Sequence, residues 1–345
     1  METRRHVSSQ LGVSPGTLFT TFTTFALLRN LMLRGSALRV LPLLAFATLG
    51  CERGEDRPRG STVERPSFEG ERAFELLERQ VAFGPRVPGT EGHADQLAWM
   101  VDFLEERADT VLEMPFTHRH TQTGDEFELT NVFARFDPEA RDRILLLAHW
   151  DTRPIADRDP DPARRAEPIP GANDGASGVA VLLGLAELLA ERPPPIGVDI
   201  LLTDGEDLGP GIDDMLLGAR HFAENLLPGY RPLYGVLVDM VADQNPRFPV
   251  EGYSAQYAPE VVRRVWRVAE DLGYEDMFPN RVGQAITDDH IPLNQAGIRT
   301  INIIDFEFGP GNRYWHTHAD SPENTSPEGM EAVGEVLAEL IYRGG

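Results

Sequence analysis

The residues with chemistry to offer are carboxylates and histidines that follow apolar runs. His149 and Asp151 follow ILLLA from Ile144, Asp204, Glu206 and Asp207 follow VDILLT from Val198, and Asp239 closes the strand-like YGVLVDM from Tyr234. A loop of small residues, PGANDGASG, presents Asp174 where nothing bulky crowds a ligand. Asp288, Asp289 and His290 come later in TDDHIP, and Trp315, His316 and His318 in YWHTH. Taken singly, a carboxylate at a strand end is a helix cap or an ion-pair partner, and a lone histidine is structural. Gathered from several strand ends, the acids repel one another unless a cation sits among them. Such a mixed oxygen and nitrogen donor set suits zinc, and no cysteine follows Cys51 to build a thiolate-rich structural site instead. The adjacent Glu206 and Asp207 divide the work: one carboxylate can bind metal while its neighbour faces the substrate and moves a proton.

These residues need a scaffold that brings strand ends together. The runs at Ile144, Val198 and Tyr234, with TINII from Thr300, read as buried strands. Helical patterns lie between and after them: Val179–Leu189, ended by Pro193 to Pro195, then Pro259–Leu272 and Pro327–Tyr342. Strands alternating with helices predict an α/β fold of one domain, a three-layer α/β/α sandwich around a mostly parallel, mixed sheet. In such sheets ligands bind beyond the carboxyl ends of the strands, which is where the polar clusters fall.

The chain has 345 residues, 41% of them hydrophobic, enough for one full-sized core. Its formal net charge of -23 excludes nucleic acid as a partner, since phosphate binding needs clustered Lys and Arg. The single cysteine, Cys51, allows no internal disulfide and ends MLRGSALRVLPLLAFATLGC, which has the layout of an export signal. The apolar core Val40–Leu49 is too short to span a bilayer, which takes roughly 20 residues. The stretch resembles a bacterial lipoprotein signal, with Thr48 where such signals usually carry Leu. Residues 1–51 are therefore expected to be an export region with its true start at Met32. The protein is expected in the periplasm or cell envelope, meeting a membrane only through a lipid on Cys51. Residues 52–66, charged and rich in Pro, Gly and Arg, read as a tether, and 67–345 as the catalytic domain.

In order and separation, HWD, GANDGAS, DGED, VDM, TDDHIP and YWHT resemble the M28-type zinc aminopeptidase superfamily and, within it, the glutaminyl-peptide cyclotransferases. FGPRVPGTEGH from Phe83, LLGARHFAENL from Leu216 and NPRF from Asn245 support the likeness, which runs from about Phe83 to Tyr342. The resemblance implies a zinc-exopeptidase-like fold and one zinc held by Asp174, Asp207 and His316. It implies Glu206 as proton shuttle, Asp239 and Asp288 as hydrogen-bonded acidic partners, and Trp315 as a wall of the substrate pocket. The reaction implied turns the N-terminal glutamine of a peptide or protein into pyroglutamate and releases ammonia. The alternative is an aminopeptidase with a second zinc on His149 and Asp239, bridged to the first by Asp174. The sequence departs from the animal cyclotransferases, which carry two glutamates at Glu206 and Asp207 and a histidine at Asn302. His290, His318 and Asp204 are expected to be structural, and Asp151 to orient His149 or a nearby loop. A lipoprotein that only binds peptides is the non-enzymatic alternative; the intact ligands and base argue against it.

Overall fold

In the computed structural model, which describes residues 64–344, two helices lead into a six-stranded sheet. In chain order the elements are α1 (Gly70–Val81), α2 (Glu91–Glu105), β1 (Thr110–Arg119), β2 (Glu126–Phe136), β3 (Arg143–His149), α3 (Ala176–Glu191) and β4 (Gly197–Thr203). They continue with α4 (Leu217–Glu224), β5 (Gly235–Asp239), α5 (Gly252–Tyr257), α6 (Pro259–Asp271), α7 (His290–Gln295), β6 (Thr300–Ile304) and α8 (Pro327–Arg343). The export region with Met32 and Cys51, and the tether up to residue 63, lie outside the described residues. Packing reaches two residues beyond the expected start of the domain: the Arg65 guanidinium lies 2.6 Å from Glu335 and 2.8 Å from Glu339 of α8.

The strand order is β1-β2-β4-β3-β5-β6. β4, β3, β5 and β6 are mutually parallel, and β2 alone runs against the rest, pairing antiparallel with both β1 and β4. The four parallel strands are buried on both faces, which is why their sequences are mostly apolar, with Asp199 and Asn302 the polar residues inside them. The first hairpin follows different rules. β1 alternates between exposed and half-buried residues and carries Pro115, a residue that an edge strand tolerates.

One face of the sheet, with Leu146, Ile200, Val238 and Ile303, packs on Leu76 of α1, Leu182 of α3, Val265 of α6 and Val336 of α8. The other face, with Phe133, Leu145, Leu201 and Leu237, is covered by Phe222 of α4, Leu293 of α7 and Tyr230. Each such side chain contributes about 1.5–3 kcal/mol on burial. The three-layer sandwich predicted from the sequence is thus present, thicker on one side than the other. α3 lies almost wholly inside, starting three residues earlier than predicted. It ends at Arg192, whose extended backbone suits a residue before proline. Phe68 wedges against α8 so tightly that a Cβ on Gly334 would sit 2.3 Å from its ring.

The chain leaves β3 for β4 on one side and then crosses to β5 on the other. That reversal opens a crevice at the carboxyl ends of β3 and β5. His149 and Asp239, the last residues of those two strands, stand on its floor.

Candidate active site and metal centre

Two clusters of buried ligand atoms meet at this crevice, and Asp174 belongs to both. One is Asp174, Asp207 and His316; the other is His149, Asp174 and Asp239; within each, the ligand atoms all lie within 4.8 Å of one another. The His149 Nε2 atom is 3.1 Å from Asp174 Oδ1 and 3.3 Å from Asp239 Oδ1. Across the carboxylate, Asp174 Oδ2 is 3.7 Å from His316 Nε2, which is 3.5 Å from Asp207 Oδ2. Asp174 therefore turns one oxygen to each cluster.

The donor set fits zinc on two further observations. His149 Nε2, Asp207 Oδ2 and Asp239 Oδ1 are buried without a hydrogen-bond partner, although buried polar atoms are normally satisfied. The acids also press on one another. Burial, with the charges of neighbouring carboxylates, pushes Asp207 up to about 6 and Asp239 up to about 7, and holds Glu206 well above the usual carboxylate range. A divalent cation would satisfy the orphaned atoms and the excess of negative charge together.

The loop that carries Asp174 is fixed from three sides. Asp320 accepts from the Asn173 and Asp174 amides at 2.6 and 3.2 Å. Ser177 Oγ donates to Asn173 O at 2.5 Å and accepts from Val241 N at 3.0 Å, tying the loop to the chain just beyond β5. The fully buried Arg86 donates to Pro170 O and, at 2.5 Å, to Gly171 O. Burial lowers Arg86 to about 10, against the pull of Asp320, Asp151 and Asp174, which leaves it cationic at neutral pH. Gly175 must be glycine for a reason of space: a Cβ there would stand 2.5 Å from the His149 ring.

Each remaining ligand is oriented by a partner. Asp157 Oδ1 lies 3.1 Å from His316 Nδ1 and 2.8 Å from Arg153 Nε, while Arg153 Nη1 donates to Asp207 Oδ1. These contacts aim His316 Nε2 and Asp207 Oδ2 at the cluster. Burial notwithstanding, the His316 and Arg153 contacts hold Asp157 well below the usual carboxylate range. Replacing the support of a metal-bound histidine costs roughly 10–100-fold in metal affinity or activity. Asp157→Ala is accordingly expected to weaken zinc retention by about 10–100-fold, read by competition with a chelating dye. Unchanged retention would remove Asp157 from this role.

Asp151 accepts from the Glu206 and Asp207 amides at 3.0 and 3.1 Å, fixing the turn after β4, and its Oδ1 is 3.5 Å from His149 Nδ1. Asp288 accepts from the Asp289 amide at 2.6 Å and from Asn302 Nδ2 at 2.6 Å, so Asn302 is the hydrogen-bond donor that steadies it. Asp288 also helps to raise Asp239, after burial and against the His149 contact. Asp204 is engaged elsewhere, accepting from His93 at 3.0 Å and from Thr130 N at 2.7 Å. His290 pairs with Glu251 at 3.1 Å and His318 with Asp159 at 2.7 Å.

A narrow cleft opens over the clusters. Asp174, Glu206, Asp207, Asp239, Asp288 and His316 line its polar side, while Met215, Met240, Ile286, Ile304, Phe306 and Trp315 supply apolar walls. Trp315 meets Phe306 edge-on at 4.9 Å, and its ring lies 3.8 Å from that of His316. His316 and Met240 hold left-handed backbone, φ 57° and 51°, a conformation that collects at functional sites.

The structure thus brings together Asp174, Asp207, His316, His149, Asp239, Glu206, Asp288 and Trp315. Arg86, Arg153, Asp157, Asp320 and the apolar walls other than Trp315 were not singled out from the sequence. Arg86 stands in FGPRVPGTEGH, and Arg153 and Asp157 lie in TRPIAD just after HWD, which were the only signals available.

Comparison with known proteins gives concordant findings. The model of peptidase family M28 matches residues 131–341. Aminopeptidase YwaD of Bacillus subtilis is 27% identical over 217 residues, 58% of this chain, which spans only 41% of that relative's length. The crystal structure of Tannerella forsythia glutaminyl cyclase is 38% identical at a TM-score of 0.77, covering 81% of this chain and 99% of that one. A Zn-dependent exopeptidase from Parabacteroides distasonis is 37% identical at a TM-score of 0.78, covering 81% and 100%.

Proposed function

The chain belongs to peptidase family M28, and from that premise we propose that it is a zinc-dependent glutaminyl-peptide cyclotransferase acting on the N-termini of peptides or proteins. The observation that carries this reading is the match to a glutaminyl cyclase over nearly the whole of that structure, at 38% identity. The cleft agrees with it, being small, acidic on one side and walled by Trp315 and Phe306 on the other.

Asp174, Asp207 and His316 would hold the zinc, which when bound supplies a Lewis acid for the γ-amide carbonyl oxygen. The chain's own residues do the rest. Trp315, Phe306 and Ile304 hold the glutamine side chain bent toward its own amine, so nucleophile and amide meet within one molecule. Asp239 and Asp288 offer acceptors to the substrate's N–H groups. Glu206, whose proton affinity is raised by burial and by Asp207, Asp288 and Asp289, takes a proton from the α-amine as its nitrogen bonds to the γ-amide carbon. It then returns that proton to the departing nitrogen as the carbon–nitrogen bond breaks, and ammonia leaves.

The second reading, a two-zinc aminopeptidase, is favoured by the His149, Asp174 and Asp239 cluster and by the likeness to an exopeptidase. Gln-peptides and Leu-peptides offered side by side separate the two. Cyclisation predicts ammonia from the first and no free leucine from the second. Free leucine without ammonia would replace our reading with the peptidase.

A further inference from the structure

Beside the catalytic cleft, across the indole of Trp315, lies a second and wider hollow of about 950 Å³ lined by Arg158, Arg164, Arg313, Asn312 and Tyr314. Trp315 lines both, and the Arg158 guanidinium lies over its ring at 4.3 Å. The Arg158 amide donates to His316 O at 3.2 Å, so its position is set by the backbone of a proposed zinc ligand.

Among the described residues, no carboxylate pairs with Arg158 or Arg313, the two arginines nearest the indole. The Arg158 guanidinium lies over the indole, and Arg313 Nε donates to Pro310 O at 2.8 Å. The acids of the hollow are already occupied. Asp159 accepts from His318 Nδ1 and from the Asp161 amide, and against its burial these contacts pull it down to about 2. Asp161 accepts from Ala163 N at 3.0 Å, and Arg164 is paired with Glu167 at 3.2 Å. Arg247 and Arg281 line a separate hollow beside the cleft, one that carries three acids, Glu251, Asp305 and Glu307.

A substrate whose first residue fills the cleft must continue out of it, and an extended peptide advances about 3.3–3.6 Å per residue. Its second to fourth residues would then pass over Trp315 toward these guanidinium groups. Resting on the cyclotransferase reading, we propose that Arg158 and Arg313 form a subsite for a carboxylate side chain carried one to three residues beyond the N-terminal glutamine. The enzyme then prefers acidic N-terminal sequences to neutral or basic ones.

The test uses amidated peptides, Gln-Ala-Glu-Ala and its relatives with Gln or Lys in place of Glu, so that the peptide's own C-terminal carboxylate cannot answer instead. Ammonia release is followed in low salt. The expected kcat/KM ratio of the Glu to the Gln peptide is about 3–10, mostly in KM, because exposed charge pairs are weak individually. It should shrink as salt screens the pair. The ratio is read within each protein, which separates it from any change in overall rate. It should fall to about one in the Arg158→Gln, Arg313→Gln double variant, and Arg313→Glu alone should shift preference toward the Lys peptide. A wild-type ratio near one with Glu at each of positions two to four overturns the subsite while leaving cyclisation intact. If a free-acid Gln-Ala-Ala outpaces its amide while Glu confers nothing, the arginines read a chain terminus and the proposal fails. Failure of the underlying reading looks different: no Gln-peptide of any kind releases ammonia.

Discussion

Glu206→Gln is expected to fold normally, keep its zinc and lose turnover by about 10²–10⁴-fold, the range supplied by a positioned proton carrier. Glutamine has nearly the same shape and can rest in the same place, with the Glu206 amide still held by Asp151. What it lacks is a site for the proton that must leave the amine and reach the departing nitrogen. The exchange also removes one acid from a crowd that includes Asp207, Asp288 and Asp289, so thermal stability should hold or rise. Ammonia release, metal content and melting temperature measured on one preparation check all three parts. Normal rates would show that another group carries the proton.

His316→Ala should lose zinc and turnover together, by more than the roughly 10–100-fold that loss of a supporting residue costs. Its imidazole is the only nitrogen donor in the first cluster, and alanine leaves Asp174 and Asp207 facing one another. Measuring bound metal after gel filtration, alongside kcat/KM, checks this. His149→Ala sharpens the comparison: on the one-zinc reading it keeps stoichiometric metal, whereas on the two-zinc reading half is lost. Full zinc in His316→Ala would move the centre to the other cluster.

The sequence makes some of this legible and hides the rest, for physical reasons. β3, β4, β5 and β6 can be read directly, because a strand covered on both faces is apolar at most positions. α6 and α8 are equally plain, each beginning at a proline that fits the first turn. β1 and β2 escape notice because β1 is nowhere fully buried and the burial of β2 follows no regular alternation. His149, Asp207 and Asp239 stand out because a charged or polar residue closing an apolar run is costly without a purpose. Their supports do not stand out. Asp157 meets His316 from 159 positions away and Asp320 meets Asp174 from 146, separations that no local pattern encodes. Asn302 likewise acquires its meaning only in space, where its amide steadies Asp288.

Asp174, with an oxygen for each cluster, makes the centre modular. A scaffold of this kind can move between mononuclear and dinuclear chemistry without gaining or losing a single side chain, by altering only how tightly the outer donors grip. Ligand identity is then a poor fingerprint of the reaction within such a lineage, and the walls that shape the substrate become the place where one activity diverges from another.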